Sequence, residues 1–109
     1  MWQEIEKYIN LLETAVAEMK KRSKDLAQKE YLYRMALSKR LTELRADGQP
    51  VTHLADIARG EPNIAKLRLD RDIAKGLYDS SQEAINVYKL KIRVLENQYA
   101  REWGQAKNV

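Results

Sequence analysis

The sequence predicts an all-α fold: a long antiparallel helical hairpin of coiled-coil type, with a short helix in the connection, dimerising into a four-helix bundle. Three observations carry this expectation. Residues 3–46 contain neither glycine nor proline. Apolar residues recur at alternating steps of three and four along both halves of the chain. Both prolines, the lone histidine and two of the four glycines fall in one stretch, ADGQPVTHLADIARGEP, residues 46–62.

The first helix is expected over residues 3–46. Its seam is Trp2, Ile5, Ile9, Leu12, Val16, Met19, Ser23, Leu26, Glu30, Tyr33, Leu37, Arg40 and Leu44. Ten of these thirteen positions are apolar, which selects a helix over a strand. Asp47-Gly48 supplies a stop, because glycine accepts the left-handed cap conformation, and Pro50 bars helical continuation. Residues 47–61 form the connector. In it Thr52 caps a short helix, HLADIAR, closed by Gly60, with Val51, Leu54 and Ile57 or Ala58 facing one way. The second helix is expected over residues 62–103, with Pro62 in its first turn and Gly104 ending it. Its seam runs Ile64, Leu67, Arg71, Ala74, Tyr78, Ser81, Ile85, Tyr88, Ile92, Leu95, Tyr99 and Glu102. Nine of these twelve are apolar, enough to carry the interior Gly76. The whole of residues 1–109 reads as one domain.

Polar residues inside the seams set a register. With facing residue numbers summing to about 104, Ser23 meets Ser81, and Trp2 approaches Glu102 and Trp103, the two tryptophans covering each other. Glu30 and Arg71 then lie within one turn, a candidate register pair of opposite charges. The second helix carries a further stripe: Ile73, Leu77, Ser80, Ala84, Val87, Lys91 and Val94. One antiparallel partner does not cover two stripes. Ile73, Leu77, Ala84, Val87 and Val94 are therefore the candidate interface of a homodimer.

Composition removes several classes of chemistry. Without cysteine there is no disulfide, thiolate metal site or thiol nucleophile. His53 has no second histidine to share a metal and no evident orienting partner for catalysis. Asp70 and Asp72 are two apart and fall on different sides of a helix, which suits no shared metal. No phosphate-cradling glycine loop is present. The expectation is no enzyme, no cofactor and no metal. VTHLADIARG has the flavour of a helix-turn-helix, but Asp56 and Lys66 stand where that motif wants a small and an apolar residue. No apolar run approaches a membrane span, and MWQEIEKYIN lacks the pattern of a signal peptide, so no membrane association is expected.

Net charge is +4, from 20 basic and 16 acidic residues, which permits nucleic-acid binding without demanding it. The candidate contacts are Lys20, Lys21, Arg22 and Lys24 in KKRSK, and Lys89, Lys91 and Arg93 in YKLKIR. Glu13, Glu18, Asp25 and Glu96 dilute their field. All aromatic residues are tyrosine or tryptophan, each with a polar handle suited to a half-wet boundary or a partner surface.

Residues 83–104, EAINVYKLKIRVLENQYAREWG, and the preceding ARGEPNIAKLRLDRDIAKGLYD resemble small helical proteins encoded by temperate phages and prophages of Gram-positive bacteria. The resemblance covers the second half of the chain and implies a setting, the cytoplasm of a bacterial host, with no assigned activity and no catalytic residue to carry over. Small secreted hairpins with a Trp-x-Gly turn share the length and topology, but the turn here is Asp47-Gly48-Gln49-Pro50. The functional expectation is a non-enzymatic protein–protein interaction module, an adaptor or an inhibitor of a host factor, with an unidentified protein partner. The alternative is a sequence-nonspecific nucleic-acid-binding accessory protein of phage replication or recombination.

Overall fold

The computed structural model describes residues 2–107, with side chains described as far as Gly104. Helix α1 spans Trp2–Ala46. A 3₁₀ turn, Val51–His53, leads into α2, Leu54–Gly60. Helix α3 spans Pro62–Lys107. The chain is an all-α helical hairpin with a short helix in its connection, and its contacts divide it into two compact units. One comprises residues 22–78; the other comprises residues 1–21 and 79–109.

The 22–78 unit holds the bend. Helix α1 ends because Gly48 takes φ +82°, a value that costs glycine nothing and an L-residue about 1–2 kcal/mol. The Gly48 N–H donates to the Arg45 carbonyl at 3.1 Å and the Gln49 N–H to the Leu44 carbonyl at 3.2 Å, satisfying two carbonyls that the helix end leaves open. A Cβ at Gly48 would meet nothing within 4 Å, so Gly48→Ala isolates backbone strain. It should lower unfolding stability by about 1 kcal/mol in a urea titration, and an unchanged midpoint would remove the strain account.

The core of this unit gathers Tyr33 and Leu44 of α1, Leu54 and Ala58 of α2, and Ile64 of α3, with Leu37, Leu41 and Leu67 around them. Helix α2 is a plug whose buried side is Leu54 and Ala58. Val51 is 74% exposed and Ile57 43%, so the expected packing face narrows to two residues. Val51 precedes α2 in the 3₁₀ turn, none of whose residues is buried. Thr52 sits inside that turn, and no side chain caps α2. Gly60 is not a left-handed stop. The helix ends at Glu61, which is extended (ψ 137°) because it precedes Pro62.

In the other unit Ile5 of α1 and Ile85 of α3 are buried. Tyr8 and Tyr88 lie with ring centroids 6.3 Å apart, tilted by 37°. Trp2 and Trp103 each remain more than half exposed. The Trp2 indole N–H donates to Glu6 one turn along its own helix, at 3.1 Å. Helix α3 also continues through Gly104 to Lys107. An interior glycine costs about 1 kcal/mol, and among the described residues after it none is a proline or left-handed.

Candidate functional site

The seams meet at polar positions in the 22–78 unit. Arg71 Nε lies 3.4 Å from Glu30 Oε2. Glu30 also accepts from Arg34 Nε at 2.5 Å, and Arg71 donates to Asp72 at 2.8 Å and 3.0 Å. The Arg71 guanidinium stands 4.7 Å over the Tyr33 ring. Nearer the bend, Arg40 of the α1 seam donates to both carboxylate oxygens of Glu61, at 2.8 Å and 2.9 Å. The residue numbers of both pairs, Glu30 with Arg71 and Arg40 with Glu61, sum to 101, although Glu61 lies just before α3 and not in it. That register is displaced by about three residues, or about 4.5 Å, from the one inferred from sequence, and Ser23 shares a groove with Tyr78.

The Glu30 carboxyl is held below the usual glutamate range, first by the Arg34 hydrogen bond and then by the charge of Arg71, against some desolvation. A lowered folded-state value means that the unfolded chain binds the proton more readily. Glu30 therefore contributes fully above the ordinary glutamate range, and its contribution is lost as pH falls through the lower folded value. Stability of the wild type should drop more steeply on acidification than that of Glu30→Gln; parallel profiles would mean that the carboxylate adds nothing. A double-mutant cycle of Glu30→Ala and Arg71→Ala should give a coupling clearly different from zero, whereas additive effects would mean that the two groups do not interact in solution.

The second stripe of α3 stays open in both units. In the 22–78 unit Ile73 is 53% and Leu77 40% exposed, with exposed Leu69 one turn before them. In the other unit Val87 is 46% and Val94 53% exposed, Leu90 is exposed between them, and Ala84 is half-buried. Lys91, the one charge within the stripe, is drawn aside, its ammonium 5.3 Å from the centre of the Tyr8 ring. Small residues stand beside the aliphatic ones in each unit, Gly76 in the 22–78 unit and Ser80 and Ala84 in the other.

Of the basic residues singled out above, Lys20, Lys21, Lys24, Lys89, Lys91 and Arg93 are exposed and Arg22 is half-buried. Sequence-blind phosphate binding through them would be strongest at low salt. Carboxylates interleave with them, so micromolar protein should leave a DNA oligonucleotide unshifted at about 50 mM salt; a shift abolished by neutralising Lys20, Lys21, Lys89 and Arg93 would reverse that expectation.

Sequence reasoning passed over a further group, Arg34, Arg59 and Arg68, which line one cavity with Arg71 in the 22–78 unit. Their positions follow no repeat, and only the fold brings them together. Among the described residues no group of three or more histidines and carboxylates is placed to hold a metal ion. No described helix is long and apolar enough to cross a membrane. No protein-family profile, curated protein or solved structure matches the chain.

Proposed function

We propose that the protein is a non-enzymatic interaction module that works as a dimer of helical hairpins, its first partner a second copy of itself. One observation carries this reading: the open aliphatic stripe of α3, Ile73, Leu77, Ala84, Val87 and Val94. Half-exposed aliphatic side chains aligned on one helix face are an association surface. A second copy is the occupant that the surface itself favours. It presents the same stripe, so an antiparallel two-fold contact pairs aliphatic with aliphatic and sets small residues near the centre against each other. The charges agree with that direction. Residues 70–83 carry Asp70, Asp72, Asp79 and Glu83 against Arg71 and Lys75, and residues 84–96 carry Lys89, Lys91 and Arg93 against Glu96, so antiparallel docking brings opposite net signs together.

The bundle then presents its outer faces to a protein partner, as an adaptor or an inhibitor of a host factor. The resemblance to small phage and prophage proteins supplies the setting, a phage-infected bacterial cytoplasm. Sedimentation equilibrium at micromolar concentration tests the reading. Twice the 12.7 kDa chain mass is expected, and a mass of 12.7 kDa throughout, with full helicity, would overturn it.

A further inference from the structure

Four arginines from three helices face one cavity of about 300 Å³ in the 22–78 unit: Arg34 of α1, Arg59 of α2, and Arg68 and Arg71 of α3. Glu30 is the one carboxylate in its wall, and Tyr33 and Leu37 give it an apolar side. The neutralisation is uneven. Glu30 takes Arg34 and Arg71, and Arg71 has Asp72 as well. Arg59 reaches only Asp56, at 3.6 Å and on the exposed surface. Arg68 has no acidic partner among the described residues. Like charges gathered beside an apolar wall repel one another until an anion joins them.

We propose that this cavity binds a small phosphate-type oxyanion carrying two or more negative charges, gripped by Arg59 and Arg68, with the Glu30–Arg34–Arg71 group as its fixed wall. The planar guanidinium donates in parallel pairs, and forks arriving from different helices suit a tetrahedral anion that offers several oxygens at once. A lone carboxylate fits less well. It offers two oxygens, and Glu30 already fills that role for Arg34 and Arg71. Arg68, without an acidic partner among the described residues, and Arg59, held only by the exposed Asp56, leave donors for an anion with several oxygens. A nucleobase is not part of it, because the Tyr33 ring is buried and covered by Arg71, leaving no aromatic face on which to stack. None of the residues lining the cavity belongs to the stripe or to the exposed lysine clusters.

Calorimetric titration of the full chain with inorganic pyrophosphate at low salt tests the proposal. Saturable binding at one site per chain is expected, weakened about tenfold or more by Arg59→Gln combined with Arg68→Gln. Both side chains are at the surface, so helicity and melting temperature should not change in that variant. Lys20→Gln combined with Lys21→Gln should leave the affinity within about twofold, since neither lysine lines the cavity and a general charge effect without a direct contact is small. Absence of binding at millimolar pyrophosphate would overturn the site. So would binding that the arginine variant leaves intact, or that the lysine variant reduces equally. An oligothymidylate that binds through these arginines where pyrophosphate does not would replace the small oxyanion with a polymer and overturn the proposal as stated.

Discussion

Leu54→Ala should destabilise the protein by about 2–5 kcal/mol, among the largest effects of any single truncation in the chain. Leu54, the first residue of the plug helix, is buried in the cluster with Tyr33, Leu44, Ala58 and Ile64. Removing its side chain takes away transfer free energy and leaves a cavity that a helix of seven residues, held at both ends, fills poorly. The loss is a large fraction of the roughly 5–15 kcal/mol by which domains of this size are stable. Val51→Ala and Ile57→Ala, a few residues away, should each fall within about 1 kcal/mol of wild type, since both side chains already face water. Ala58→Leu should also destabilise, by about 1–3 kcal/mol, because Ala58 is wholly enclosed and a larger side chain has no room. Urea unfolding followed by circular dichroism at constant protein concentration measures all four. If Leu54→Ala were no worse than Val51→Ala, the plug would not be packed on the hairpin at all.

That contrast marks where the sequence could be read and where it could not. The three-and-four spacing of α1 and α3 picks out Ile5, Tyr33, Leu44, Ile64, Ala74 and Ile85, all buried, because a long helix averages many weak preferences into one face. The connector offers no such average. Over seven residues of α2 the period leaves Ile57 and Ala58 as equal choices, and hydrophobicity would favour isoleucine. The structure buries alanine, since the closeness of α2 to both long helices selects size over hydrophobicity.

The polar positions divide in the same way. Glu30 and Arg71 are visible as a pair because each interrupts an apolar seam and the seams face each other. Arg40 also interrupts a seam, but its partner Glu61 lies outside any repeat, in the extended residue that Pro62 imposes, so the pair is invisible until the bend is built. Arg34, Arg59 and Arg68 lie off the seams and read in the sequence as ordinary surface charge. Only the approach of α2 to α1 and α3 makes a common wall of them. What stays illegible from sequence is therefore the set of features assembled by a short element between two long ones.

If the proposed dimer forms through the stripe, Leu77→Glu combined with Val87→Glu should leave a monomer with its helices intact. Within one hairpin both side chains are 40% or more exposed, so a carboxylate at either position can reach water, and glutamate is at least as good a helix former as valine. In the two-fold interface the same carboxylates would be buried against aliphatic neighbours from the second copy, at several kcal/mol for each ion. The variant therefore favours the free chains by many kcal/mol, because the same four carboxylates are desolvated in the dimer and stay in water in two separate chains. Since about 1.4 kcal/mol changes an equilibrium tenfold, dissociation should be complete at micromolar concentration. His53→Lys, in the connector and away from the stripe, adds a charge without touching the contact and should leave the mass at twice 12.7 kDa. Sedimentation equilibrium reads the masses and circular dichroism the helicity. If the double glutamate variant stays dimeric, the interface lies on another face of the hairpin. If wild type and variant are both helical monomers, the stripe has another occupant and self-association is not its purpose.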